Sequence, residues 1–222
     1  MIPTERSATR AALIDATLDL FGQDGFAAVS TRTLAYRAGA NLAAIQYHFG
    51  GKDALYRAVI DHMIEIFPPR LHLAESLLTE QAPRLKGNPE ALAALLRTLA
   101  VTLLQTYLGN AQMRRMVPFF LREMIHPSQH FDHFYTALPA RLHTLLTRFV
   151  ALVLDTSPND ERAILQAHAL IGQIVVFQIG RPVLLRRTGW DDFTPQRIEQ
   201  IIEVLVPSLQ RTLGLPVTET AS

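Results

Sequence analysis

Cysteine is absent from the 222 residues of this chain, which excludes disulfides and thiolate metal sites and fits a reducing compartment such as the cytoplasm. No stretch reads as a strand, and no segment repeats. Uninterrupted apolar runs fall short of the roughly eighteen residues of a membrane span; Ile171 to Ile179 comes nearest and is broken by Gln173 and Gln178. The first ten residues are polar and lack the apolar centre of a signal peptide. There is no nucleophile elbow, no Ser/His/Asp constellation beside a glycine turn, and no phosphate-cradling glycine motif, so neither a hydrolase nor a nucleotide-binding enzyme is indicated. A net charge of +1 also shows no basic excess of the kind a nucleic-acid binder carries. The expectation is a non-enzymatic chain with no cofactor, no resident metal and no membrane partner.

What is present is apolar and helical in pattern. Hydrophobic residues make up 49% of the chain, enough for a folded core. The near-neutral charge hides an uneven distribution. Between Ser30 and Arg57 stand four basic residues (Arg32, Arg37, Lys52, Arg57) against one acid, Asp53. Elsewhere the charges nearly cancel, so the formal excess sits around one short stretch.

That stretch, Thr31 to Lys52, splits into two helical pieces about a turn. Ser30 suits an N-cap for a helix over Thr31 to Ala38, with Leu34 and Ala38 inward at i, i+4 spacing. Gly39 ends it, because glycine reaches the left-handed conformation without a Cβ penalty. Asn41 suits the N-cap of a second helix through Ala43, Ala44, Ile45, Gln46 and Tyr47 to about His48, ended by Gly50 and Gly51. Two helices about a glycine turn make a helix-turn-helix, whose second helix enters the DNA major groove. Before it, Ala8 to Gly22 carries Leu13, Ala16 and Leu20 on one stripe. Phe21, Phe26, Leu34, Ile45 and Phe49 would then form the small core of a three-helix head. Arg6 and Arg10 on the leading segment, capped by Thr4 or Ser7, are either phosphate contacts or a solvated end.

The rest of the chain predicts about six more helices, in an all-α fold. Lys52 opens a long helix to Phe67, interrupted by Pro68-Pro69 and resumed from Arg70 to Gln81. Asn88-Pro89 caps a helix to Leu108. Others are expected over Ala111 to Ile125, bent near Pro118, from His126-Pro127-Ser128 past Pro139 to Leu154, over Asn159 to Ile179 behind a Ser157-Pro158 cap, and from Thr194-Pro195 to Leu213. The tail from Val217 to Ser222 is expected to be mobile. The domain expectation is a DNA-binding head over residues 1–51 and a helical ligand-binding and dimerisation body over 52–222.

Phe26, Thr31, Leu34-Ala35, Ala38-Gly39, Tyr47-His48-Phe49 and Lys52-Asp53-Ala54-Leu55 stand in the order and spacing of the TetR family of bacterial repressors, which residues 11–56 closely resemble. The wording AGANLAAIQYHFGGKDALY is similar to the CecR-like branch. So are Arg122-Glu123-Met124, Pro127, Asp132, Pro139, Gly172-Gln173, Phe177 and Arg181 further on. The resemblance implies a ligand-responsive repressor that binds a pseudo-palindromic operator in double-stranded DNA as a homodimer, is released by a small hydrophobic effector, and in this branch is linked to export genes.

By the same resemblance, Thr31, Tyr47 and Lys52 bind phosphates. Arg32 either reads a guanine or contacts phosphate; Tyr47 is otherwise an aromatic of the head core. Leu42, Ala43, Ala44 and Gln46 fall where base edges are read, with His48 beside them in a more structural position. Gln46 departs from the aromatic usual in the family.

Further on, the aromatics Phe119, Phe120, Phe131, Phe134, Tyr135 and Phe177, with Met116, Arg122, Glu123 and Gln173, either line an apolar ligand pocket or fill core. His126, His130 and His133 have spacings that could share a metal, but Pro127 breaks the helical register and the reading is set aside. Ile164, His168, Ile171, Gly172 and Val175 on one helix, and Ile198, Ile202, Leu205 and Leu209 on another, form apolar rows for either a four-helix dimer interface or an intramolecular core. The reading from another class is an all-α small-molecule-binding protein that no longer binds DNA.

Overall fold

The computed structural model describes residues 5–66 and 68–217, so Thr4, Phe67 and the tail beyond Val217 lie outside the described residues. These residues form twelve helices and no strand, and the fold is all-α. Their packing divides into two units. The first holds residues 5–66 and 115–139, the second residues 68–114 and 140–217.

In the first unit, α1 (Glu5–Asp24) buries Leu13, Ile14, Ala16, Leu18 and Phe21, the wide apolar stripe of a helix covered on one side. It packs against α2 (Thr31–Arg37) and α4 (Lys52–Ile66), with α3 (Leu42–Phe49) touching all three. Each short helix starts on a side-chain cap. Ser30 accepts from the Thr33 amide at 3.1 Å, and Asn41 accepts from the Ala44 amide at 2.9 Å. Gly39 (φ +63°) makes the turn between them and Gly50 (φ +80°) ends α3, both in the left-handed region that glycine occupies freely.

A three-helix head alone would leave Tyr56 of α4 uncovered. The covering comes from later in the chain, the portion of α7 (Ala111–Ile125) from Arg115 onward and α8 (Phe131–Ala137). Tyr56 lies 5.3 Å from Phe119, 5.8 Å from Phe21, 5.5 Å from Phe26 and 4.6 Å from His130, ring centre to ring centre. Arg115 fastens α7 to α1 by forking onto Asp19 at 2.8 and 2.9 Å and onto the Asp15 carboxylate at 2.9 Å. Arg122 donates to the Gln23 carbonyl at 3.0 Å, satisfying an end group of α1. Gly22 lets the backbones meet, since a Cβ there would stand 2.9 Å from the Phe119 amide nitrogen.

The second unit is centred on α6 (Pro89–Gly109), capped by Asn88 as expected, with a wide apolar face opposite a stripe of Arg97, Thr98, Thr102 and Gln105. It packs against α5 (Pro68–Leu85), α10 (Glu161–Ile179) and α12 (Pro195–Thr212). Helix α9 (Pro139–Val153) adds Leu145, Leu146, Phe149 and Val150 to the same core. Inside it, Gln210 donates to the Ala93 carbonyl at 3.1 Å. Burial pushes the Tyr107 phenol up to about 12.

The structure corrects several sequence expectations. The helix expected across Pro139 is two, parted at Leu138, because Pro139 starts α9 where its missing N–H is no loss. The cap of α10 is Asp160, which accepts from Arg162 and Ala163; Ser157 instead holds a preceding turn through the Asn159 amide. An unexpected helix, α11 (Arg181–Thr188), follows directly on α10. Pro182 sits in its first turn, where a missing N–H is tolerated. Helices α6 and α10 are long and apolar enough to cross a bilayer by length and composition alone; scattered Arg97, Thr and Gln residues hid this from a search for uninterrupted runs.

Candidate nucleic-acid interface

The exposed surface of α3 is set by one buried anchor. Ile45 is packed inside the first unit, which turns Leu42, Ala43, Gln46 and Tyr47 outward on a single face at i, i+1, i+4 and i+5. Ala44 and His48 flank it half-buried. Tyr47 is 68% exposed, so it stands outside the head core and its phenol is free to meet a partner. Its ring is edge-on to His48 at 5.0 Å, and the Arg6 guanidinium lies over it at 5.3 Å. A second guanidinium, Arg10, lies over Phe49 at the same distance.

On α2, Thr31 is half-buried at the first position and Arg32 is exposed. One turn beyond Arg32, Tyr36 is 88% exposed, an apolar ring left in solvent on the first helix of the motif. In the sequence, its i+4 spacing from Arg32 is the signal for it.

Lys52 has a dual environment. Its ammonium donates to the Phe26 carbonyl at 2.5 Å and stands 4.3 Å from the Phe26 ring centre. Burial lowers its pKa and the neighbouring Asp53 opposes that shift. With one of three donors engaged, Lys52 closes the α1–α2 loop and keeps donors for an anion at the start of α4. Asp53 is itself held by His130 Nε2 and by the Gln129 amide, each at 2.8 Å.

The residues expected at a ligand pocket are dispersed. Met116, Phe119 and Phe134 are buried as core of the first unit, and Glu123 is buried accepting from the Ser128 amide and hydroxyl at 3.2 and 3.1 Å. Arg122 is committed to α1, so neither charged group is an unengaged handle. Phe120 is half-buried against Phe134, and Phe131 stacks on the exposed Tyr135. Gln173 and Phe177 belong to the second unit, Phe177 packed against its core. A cleft of about 290 Å³ in that unit is lined by Glu75, Ala140, Arg141, Thr144, Leu145 and Arg148, none of which the sequence singled out. The three histidines diverge: His130 is buried on Asp53, His133 is 3.8 Å from Asp61, and His126 is exposed.

The two apolar rows also separate. Ile198, Ile202, Leu205 and Leu209 are buried within the second unit's own core, the intramolecular alternative for that row, while Val204 on the same helix stays exposed. On α10, by contrast, Ile164, Leu165 (62% exposed), His168, Gly172, Val176 and Ile179 face outward, with Ile171 and Val175 half-buried among them. His168 stacks on His143 of α9 at 5.6 Å.

A capped helix-turn-helix on an all-helical frame defines a helix-turn-helix regulator. Residues 13–59 match the family described as bacterial regulatory proteins, tetR family, and residues 92–214 match the C-terminal domain of the HTH-type transcriptional dual regulator CecR. The HTH-type transcriptional dual regulator CecR of Shigella flexneri is 35% identical over 193 residues, 85% of this chain and 84% of that protein. An HTH-type transcriptional repressor of Mycobacterium tuberculosis is 44% identical over 62 residues, 28% of this chain and 33% of that one. A solved transcriptional regulator from a Rhodococcus species shares the fold at a TM-score of 0.56 and 20% identity, covering 97% of this chain and all of its own. The chain belongs to the TetR family of transcriptional regulators, in the group defined by the CecR C-terminal domain. Its relatives in these comparisons are regulators, not enzymes.

Proposed function

We propose that this protein is a ligand-responsive repressor that binds a pseudo-palindromic operator as a homodimer in the cytoplasm and leaves it when a small hydrophobic molecule binds. The observation that carries the reading is the outward face of α3, in which Leu42, Ala43, Gln46 and Tyr47 are exposed together because Ile45 is buried behind them. Leu42 and the alanines offer apolar contact to a thymine methyl, and Gln46 can hydrogen-bond a base edge. Arg32 forks onto a guanine or a phosphate; Thr31, Tyr47 and Lys52 hold the backbone. All of these residues fall within residues 31–52, supporting a reading head over about the first fifty residues and regulatory and dimerising functions beyond.

The dimer face on this reading is the outward side of α10, Ile164, Leu165, His168, Ile171, Gly172, Val175 and Val176, joined by Val204 of α12, which is 70% exposed. The effector acts through aromatic side chains of the first unit that retain surface, Phe120, Phe131 and Tyr135. Driving a population from 1:99 to 99:1 takes about 5.5 kcal/mol of preference for the released form. At about 25 cal/mol per Å² of apolar surface, a buried drug-sized ligand supplies energy of that order. Since CecR-like proteins are linked to export, efflux genes are the proposed targets.

The test is selection from a random duplex pool followed by sedimentation. The protein should enrich a pseudo-palindrome with half-sites about 34–36 Å apart or a multiple of it. A Cβ at Gly172 meets nothing within 4 Å in its own chain, so Gly172→Phe should spare folding while yielding a monomer with weakened operator binding. A protein that enriches no sequence, with no salt dependence, would exclude the DNA reading.

A further inference from the structure

Arg6 and Arg10 lie one turn apart near the start of α1, outside the helix-turn-helix, and both are exposed. Each guanidinium is set over a ring at the end of α3: Arg6 over Tyr47 and Arg10 over Phe49, both at 5.3 Å from the ring centre. Among the described residues neither arginine forms an ion pair. The acids further along α1, Asp15 and Asp19, are taken by Arg115.

A guanidinium over an aromatic ring is attracted by its charge, and that contact consumes none of its five N–H donors. The planar fork therefore stays free for a phosphate while its rotamers are restricted in advance. The plate under Arg6 is Tyr47, the ring whose phenol is proposed to reach the same backbone. Fixed cations beside a groove-entering helix are the chemistry that recognises a nucleic-acid phosphate row.

We propose that Arg6 and Arg10 make a second row of DNA phosphate contacts, carried by α1 and positioned by Tyr47 and Phe49. This rests on the DNA-binding reading above.

The experiment measures binding of the full chain to a mixed-sequence duplex of about 30 base pairs as salt is raised, because non-specific binding is nearly all phosphate contact. Removing one contact makes the slope of log K against log salt shallower by about 0.9 per head engaged. Over an approximately fourfold rise in salt, wild type should thus lose about 3.5-fold more affinity per head than Arg6→Ala or Arg10→Ala. Arg6→Lys keeps the charge and should keep most of the slope. In a Tyr47→Leu background, Arg6→Ala should change the slope little, whereas in Tyr47→Phe, which keeps the plate, it should retain its effect.

A steep wild-type slope that neither alanine variant alters would overturn this proposal and leave the DNA reading standing. The same holds if the variants lower the melting temperature alone, since the arginines would then only fasten α1 to α3. An unchanged slope in one variant removes that residue from the row. A flat wild-type slope would overturn both readings together.

Discussion

Phe119→Ala tests whether the head is completed by residues from the middle of the chain. Phe119 is 1% exposed, packed at 5.3 Å from Tyr56 and 6.2 Å from Phe134, with its own amide against Gly22. Truncating a fully buried phenylalanine costs about 3–5 kcal/mol, from the lost transfer energy and the cavity left behind. Two aromatic pairs go with it, each contributing on the order of 1 kcal/mol and partly counted in that range. Against a stability of about 5–15 kcal/mol for a whole domain, the first unit would be left marginal.

The assay is urea unfolding followed by far-UV circular dichroism. The midpoint should fall sharply with little change in slope. Phe119→Leu keeps most of the volume and should cost clearly less. Tyr36→Ala, at a ring 88% exposed, should stay within about 0.5 kcal/mol and serves as the control. A loss under about 1 kcal/mol for Phe119→Ala would mean the ring does not help to build the head. The ligand-pocket alternative would then regain ground, because pocket residues can be shortened at little cost to folding.

Two further outcomes follow from single contacts. Asn41→Ala removes the acceptor for the Ala44 amide and should cost about 1 kcal/mol, with Asn41→Ser restoring most of it; equal midpoints for Asn41→Ala and wild type would show that α3 does not depend on its cap. His143 is held below its ordinary 6.5 by burial, and secondarily by His168. The unfolded chain therefore takes up that proton first as pH falls, so the stability contribution is complete above about 6.5, declines below it and levels off under the folded value. Urea midpoints across pH 5–8 should show this fall in wild type and a weaker one in His143→Gln; a wild type that gains stability relative to the variant on acidification would reverse the assignment.

Residues with a local cause were legible in the sequence. The Ser30 and Asn41 caps, the glycine stops, the Asn88-Pro89 start and the Thr194 cap each act within about four positions, and the structure places each as expected. What stayed hidden depends on partners far along the chain. An apolar row at helical spacing reads alike whether it faces its own core or a second copy, and Ile198, Ile202, Leu205 and Leu209 turned inward. Tyr56 invited no comment until Phe119 and His130, more than sixty positions away, were seen around it. For Arg122 and Glu123, pocket lining and internal pairing read alike in the sequence, which does not show the helix end and the serine that hold them.

The interleaving of the first unit bears on how the protein is made. Its leading helices leave the ribosome first, yet the residues that close over Tyr56 lie at 115–139. At about 5–20 residues per second, the interval between synthesis of α4 and of α8 is several seconds, long compared with the microseconds in which helices form. During that time Tyr56 and Phe26, which pack on His130 in the finished fold, stand beside an unfilled gap. The leading helices thus wait seconds for the residues that complete their core, and a translational pause after α4 would lengthen that exposure.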